Sequence, residues 1–279
     1  MEIVSRIEEA REIVKTWKTE GLTVGFVPTM GYLHEGHQSL IRRASEENDR
    51  VVVSIFVNAK QFGEKEDFSI YPKDLDRDAQ MCASARAHMI FNPSNEEMYP
   101  EGFSAYVDME GLTDTLCGKV RDSHFRGVCT VLAKLFNIIK ADRAYFGRKD
   151  AQQLVVVKKM VVDLNFDLEI IECETIRETD GLAKSSRNIY LNDEERRAAP
   201  IIWETLQMAN QKIIKGERES TEIQEYIKTK LLTEKLLRLD YVEIVELESL
   251  KPVNEIKKDT LIAVAVFIGA TRLIDNFIY

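Results

Sequence analysis

The sequence predicts an α/β protein: a Rossmann-like parallel sheet with helices on both faces, followed by a smaller α+β C-terminal domain. Three observations predict it. Through residue 175, short runs rich in β-branched and aromatic residues alternate with stretches of helical period. One of those runs, residues 50–57, is apolar almost throughout, as in a strand buried on both faces. Beyond residue 175 the alternation stops, and two helical stretches precede two apolar strands.

Each element has its own reason. The opening MEIVSRIEEAREIVKTWKTE spaces apolar residues at helical intervals among charges. TVGFV at 23–27 reads as a strand, a glycine-marked turn leads into a helix over 37–48, and the strand 50–57 follows. A helix over 73–86, a short strand at 88–92 and a long helix over 127–140 come next. A strand at 143–146, a helix over 150–164 and a strand at 168–175 complete a domain of residues 1–175, whose ligands belong at the carboxyl ends of its strands. The second domain, 176–279, begins with the charged, hydroxyl-rich junction RETDGLAKSSRNIYLN. Helical patterns at 193–214 and 220–237 and strands at 240–246 and 261–268 follow.

The bulk composition narrows the function. With 279 residues, 44% of them hydrophobic, the chain buries a substantial core. A net charge of -9 argues against a nucleic-acid-binding surface. The start lacks the apolar core of a secretory signal, and the longest apolar run near the C-terminus falls far short of the ~20 residues that span a bilayer. A cytoplasmic protein without membrane contact is expected. Cys82, Cys117, Cys129 and Cys173 form no C-x-x-C pair, so reduced core thiols are expected in place of a zinc or redox motif.

Several loops carry residues with chemical potential. PTMGYLHEGH, residues 28–37, sets His34 and His37 around Gly36 where a strand turns into a helix. Exposed amides and the positive end of a helix dipole there suit a phosphate. A zinc-helix reading fails, because H-E-x-x-H places its histidines four apart and these are three apart. FGRKDAQQ, 146–153, also follows a strand and opens a helix, bringing Lys149 as a point charge, Asp150 as an acceptor and Gln153 as an amide. Lys184-Ser-Ser-Arg187 sits beside the Asp180-Gly181 turn and can close over an anion. Gln61 and Phe62 follow the most buried strand, and His124-Phe-Arg-Gly127 precedes the long helix. Taken singly, each stretch also reads as an ordinary turn or helix start. Together they indicate a nucleotide site.

At this point the sequence resembles a known family. PTMGYLHEGH looks like the P-T-M-G-x-L-H-x-G-H signature of pantothenate synthetases, a variant of the H-I-G-H motif of nucleotidylyltransferases. SIFVNAKQF, YPKDLDRD, HFRGV, FGRKDAQQ, DGLAKSSRN and RLIDN recur in family order, so the resemblance covers nearly the whole chain. It implies ATP-dependent joining of (R)-pantoate to β-alanine through pantoyl adenylate, with release of AMP and pyrophosphate. It assigns ATP to Met30, Gly31, Tyr32, Leu33, His34, Glu35, Gly36 and His37, with His37 as proton donor and His34 as a phosphate contact. Gly147, Arg148, Lys149 and Asp150, the backbone of Ile176, and Lys184, Ser185, Ser186 and Arg187 match further ATP contacts. Catalytic roles fall to His37, His34, Lys149, Ser185, Ser186 and Arg187. Gln61 and Gln153 match the amides that grip pantoate, where a cation would hold the nucleophilic carboxylate too tightly. Mg2+ is expected on the phosphates, with Asp78 as a partner, and a homodimer is implied.

Four departures from the family pattern stand out. Ala59 replaces proline, Arg148 replaces an acidic or amide residue, Lys184 replaces an apolar residue, and Asp122-Ser123 replaces Pro-Gly. The two added cations are expected to alter ATP affinity. Two alternatives remain open on the residues alone: another nucleotidylyltransferase of the same superfamily, or a nucleotide-binding relative without catalysis. Basic residues in place of Gln61 and Gln153 would have favoured a phosphorylated acceptor.

Overall fold

The computed structural model of the chain describes residues 1–63, 66–121 and 123–279, and the chain divides into two compact units. Unit one holds residues 1–110, 121–148 and 156–174; unit two gathers 111–120, 149–155 and 175–279.

Unit one is built on a six-stranded, wholly parallel sheet. Its strands are β1 (Glu2–Val4), β2 (Val24–Thr29), β3 (Arg50–Ile55), β4 (Met89–Phe91), β5 (Arg143–Gly147) and β6 (Glu169–Cys173), in the order β1-β4-β3-β2-β5-β6. The helices are α1 (Ile7–Thr19), α2 (Glu35–Glu47), α3 (Leu75–Ser84), α4 (Asn95–Met98), α5 (Leu116–Val120), α6 (His124–Ile139) and α7 (Ala151–Asp163), of which α5 and the start of α7 belong to unit two. One face of the sheet, carrying Val27, Val51, Val53 and Ile90, packs against Leu40, Ile41 and Ala44 of α2 and Cys82 of α3. On α6, Phe136 meets Phe26 of β2 edge-on at 6.4 Å. Val51, Val52 and Val53 are fully buried, which is the burial that an apolar run without alternation requires.

The strand order places a switch point beside β2. From β2 the chain moves one way to β3 and β4, then returns to lay β5 and β6 on the other side. Loops leaving the carboxyl ends of β2 and β5 therefore diverge, which opens a crevice in sheets of this kind.

Unit two contains an antiparallel sheet of β7 (Leu237–Glu246), β8 (Thr260–Ile268) and β9 (Thr271–Ile278), with helices α8 (Asp193–Ala198), α9 (Ile201–Ile214) and α10 (Ser220–Leu231). Both faces of this sheet are covered. Val264 and Leu273 join Ile202, Leu206 and Ile227 on one side, while Leu261, Ala263 and Ile278 join Leu116, Ala151 and Leu250 on the other.

The expected elements appear with shifts of a few residues, and four expectations are corrected. Glu2–Val4, within the opening stretch read as helical, is strand β1 paired with β4, and the helix begins only at Ile7. The stretch 193–214 is two helices, because Pro200 lacks the amide hydrogen a continuous helix would need. The helix expected over 220–237 ends at Leu231, and Leu237 already begins β7. Strand β9 was not anticipated; the signal for it was the Gly269-Ala270 pair, a two-residue hairpin turn with Gly269 at φ +57°. All four cysteines are free and buried, in agreement with the expectation of core thiols.

Candidate active site

In unit one, β2 delivers the chain into residues 30–34, where the backbone takes positive φ at Gly31 (+89°) and Tyr32 (+48°). A Cβ on Gly31 would stand 3.0 Å from Ile55 and 3.1 Å from Asp78, so the corner needs glycine for space as well as for conformation. Asp78, 1% exposed on α3, fixes the corner by accepting the amides of Tyr32 and Leu33, each at 2.7 Å. Burial pushes its pKa above the ordinary carboxylate value, against the pull of those amides and of Arg77. With one oxygen on each amide, Asp78 orders the loop. Among the described residues there is no group of three or more His, Cys, Asp or Glu side chains suited to a metal ion.

The two histidines begin α2. His34 is its N-cap residue, and its Nδ1 accepts the amide of Gly36 at 3.1 Å. Nδ1 of His37 accepts the amide of His34 at 3.3 Å, and the rings lie 4.1 Å apart. This is a capping box made from imidazoles. An Nδ1 that accepts cannot carry the ring proton, so in each neutral ring the proton sits on Nε2, making that atom the donor.

Gln61 ends a 3-10 turn, Ala59–Gln61, at the exit of β3. Its Nε2 donates to the Met30 sulfur at 3.1 Å, and its Oε1 accepts from Asn58 at 3.0 Å. Asn58, 1% exposed, is itself held by the Gly127 carbonyl and by the Tyr99 hydroxyl at 2.8 Å. His124 Nδ1 meets the Gln61 carbonyl at 2.9 Å, and Arg121 links His124 to Glu66. HFRG is thus the support of the Gln61 turn. Asn58 was missed in the sequence, where only its place after a buried strand could have signalled a capping residue.

Unit two carries the second set. Lys149 lies 3.8 Å from Asp150 in the turn Arg148–Asp150, and its carbonyl accepts from Asn276 at 2.8 Å. Two adjacent glutamines then divide their work. Gln152 is 6% exposed and bonded to Cys117, Leu112 and Thr115, whereas no hydrogen bond within the described residues occupies the half-buried Gln153 amide. Residues 176–184 form a narrow hairpin: the Ile176 carbonyl accepts from Lys184 at 2.9 Å, and Glu178 donates to Leu182. Beyond it, Ser185 caps the turn Ser186–Tyr190 by accepting the Arg187 amide.

Sequence comparison decides the family. The family model for pantoate-beta-alanine ligases matches residues 2–278. The chain belongs to the pantoate-beta-alanine ligase family. A pantothenate synthetase of Enterococcus faecalis is 58% identical over 100% of this chain and 99% of its own. One from Clostridium botulinum, strain Loch Maree, is 54% identical over the same shares. Among solved structures, a Thermus thermophilus pantothenate synthetase superposes with TM-score 0.93 at 44% identity, covering 99% of each chain. A Francisella tularensis pantoate-beta-alanine ligase, solved with beta-gamma ATP and beta-alanine, gives 0.82 at 36% identity over 100% of this chain and 97% of that one.

Against the pantoate-beta-alanine ligase pattern, this chain's departures have local partners. Arg148 is paired with Glu172 at 3.0 Å and with Glu174, and Lys184 with Glu178 at 2.8 Å. Each added cation is therefore met by a carboxylate of its own unit. Ser123 adopts φ +61°, a left-handed conformation that glycine takes without strain; Asp122 lies outside the described residues.

Proposed function

We propose that this pantoate-beta-alanine ligase works in two steps on its own residues as follows. An oxygen of the pantoate carboxylate attacks the α-phosphorus of ATP, the bond to the β-phosphate bridging oxygen breaks, and pyrophosphate leaves. The β-alanine amine then attacks the acyl carbon of pantoyl adenylate, the bond to the phosphate oxygen breaks, AMP leaves, and the amine gives up a proton.

The observation that carries the residue roles is the pair of imidazoles with Nδ1 accepting. Nε2–H of His37 then serves as the proton donor as charge grows on the departing pyrophosphate, and Nε2–H of His34 as a phosphate contact. Residues 30–37 hold ATP through backbone amides at the start of α2. Lys149, Lys184, Ser185, Ser186 and Arg187 add donors to the phosphates, with Arg148, Asp150 and Gly147 beside them and the Ile176 backbone toward the adenine. Gln61 and Gln153 bind pantoate without fixing its charge, which leaves the carboxylate nucleophilic. Mg2+ enters on the nucleotide's own oxygens, in keeping with its usual small number of protein ligands. A homodimer and a cytoplasmic location complete the proposal; among the described residues no helix is long and apolar enough to cross a membrane.

Incubating the protein with ATP, Mg2+, pantoate and β-alanine tests the reading. AMP is expected in step with pantothenate, together with pantoate-dependent exchange of pyrophosphate into ATP when β-alanine is omitted. His37→Ala is expected to slow that exchange by about 100-fold or more, the range for loss of a general acid. Nucleotide binding without AMP would identify a non-catalytic relative.

A further inference from the structure

The C-terminal stretch RLIDN has no place in the two-step chemistry, yet it holds two of the groups assigned to ATP. Asp275 and Asn276 are neighbours on β9, so they face opposite sides of the sheet. Their cross-strand partners confirm this, since Val264 lies in the cluster on one face and Ala263 in the cluster on the other.

On the first face Asp275, 3% exposed, takes Arg177 in a two-pronged pair, at 2.6 and 2.9 Å. The Arg177 guanidinium also lies 3.4 Å over the Trp203 ring and donates to the Gly181 carbonyl at 3.1 Å. Arg177 opens the hairpin and bridges to Ala183, the residue before Lys184. On the second face Asn276, 9% exposed, donates Nδ2 to the carbonyl of Lys149, while its own amide donates to Asp275 at 2.8 Å. A buried ion pair adds little to stability compared with apolar side chains of similar volume. What a guanidinium fork supplies is direction, because two parallel hydrogen bonds fix both the position and the plane of the group.

We propose that Asp275 and Asn276 are positioning residues for nucleotide binding: one strand sets the Lys149 turn through Asn276 and the Lys184–Arg187 loop through Asp275 and Arg177. This rests on the assignment of Lys149 and residues 184–187 to ATP. Neither β9 residue needs to touch the nucleotide. A displacement of roughly 1 Å at a positioning group is enough to lower rates by about two orders of magnitude.

The test is a double-mutant cycle of Asn276→Ala with Lys149→Ala, read by calorimetric affinity for a non-hydrolysable ATP analogue and by the KM of each substrate. Lys149→Ala and Asn276→Ala are each expected to weaken the analogue by about tenfold, and Asn276→Ala to add less than about twofold once Lys149 is gone. The KM for β-alanine stays unchanged. Arg177→Lys, which keeps the charge and loses the fork, is expected to slow adenylate formation in the same way; it also carries the test should Asn276→Ala not fold. Full additivity in the cycle, or wild-type nucleotide affinity in both Asn276→Ala and Arg177→Lys, overturns the positioning role alone. Wild-type affinity in Lys149→Ala overturns the Lys149 assignment and the inference with it.

Discussion

Arg148 illustrates how a single residue's meaning depends on its partners. From sequence it is an added positive charge beside a triphosphate site, but its guanidinium pairs with Glu172 and Glu174, with the Glu172 hydrogen bond the largest influence raising its pKa. Replacing it with glutamate would gather three carboxylates and report their repulsion, so Arg148→Gln is the cleaner probe. A partly exposed, already paired cation is worth little to a nearby ligand, so the KM for ATP should rise by no more than about threefold. Lys149→Gln, measured beside it, should raise the KM by more than about tenfold if Lys149 is the phosphate partner proposed above. Equal shifts would show that the Arg148 charge acts on the nucleotide after all. The same contrast separates Gln152 from Gln153: the sequence offers two equal amides, and only packing shows which one is taken by the backbone.

The elements show a similar division. Helix α6 comes so close to the Gln61 turn that a Cβ on Gly127 would run into the Lys60 carbonyl and stand 2.6 Å from the Gln61 Cα. Gly127→Ala should therefore destabilise unit one by about 1–3 kcal/mol, as overpacking does. It should also raise the KM for pantoate more than that for ATP, since Gln61 moves and His37 does not. Thermal unfolding and substrate titrations check both, and an unchanged pantoate KM would detach Gln61 from that substrate. Helices with strong periodicity were legible in the sequence, as was β3 from its run of consecutive apolar residues, Val51 to Val53. The break at Pro200 was legible in principle, because a missing amide is a local fact. Strand β9 was harder to see, since its polar Asp275 and Asn276 interrupt the apolar alternation for reasons that lie in other segments.

Across the whole chain, acidity should reveal which carboxylates the fold has paired. Glu47 is held below its ordinary pKa first by its hydrogen bond with Arg43, and Asp180 first by that with Arg196. Burial acts to raise Glu66 and Glu172, but Arg121 in one case and Lys158 with Arg148 in the other outweigh it, so both end lower. A carboxylate lowered by folding contributes stability above its unfolded pKa, about 3.9 for aspartate and about 4.3 for glutamate, and loses it as pH falls through the folded value. Unfolding followed by urea should thus show stability falling first as pH drops through about 6.5, where His88, its pKa lowered by burial, is protonated more readily in the unfolded chain, and more steeply below about pH 5; high salt should blunt the partly exposed share. Asp78 runs the other way, because its raised pKa makes its ionised form the less favourable one in the fold. The sequence by itself determined the fold class, the ligase family and the loops proposed to carry the chemistry. Periodicity, turn residues and motif order are written in neighbouring positions. Only the tertiary structure decided that Asp78 holds the histidine corner, that Asn58 and Gly127 hold Gln61, and that Asp275 and Asn276 hold Arg177 and the Lys149 carbonyl. Those roles depend on desolvated hydrogen bonds between residues far apart in the chain, whose partners become known only when the fold brings them together.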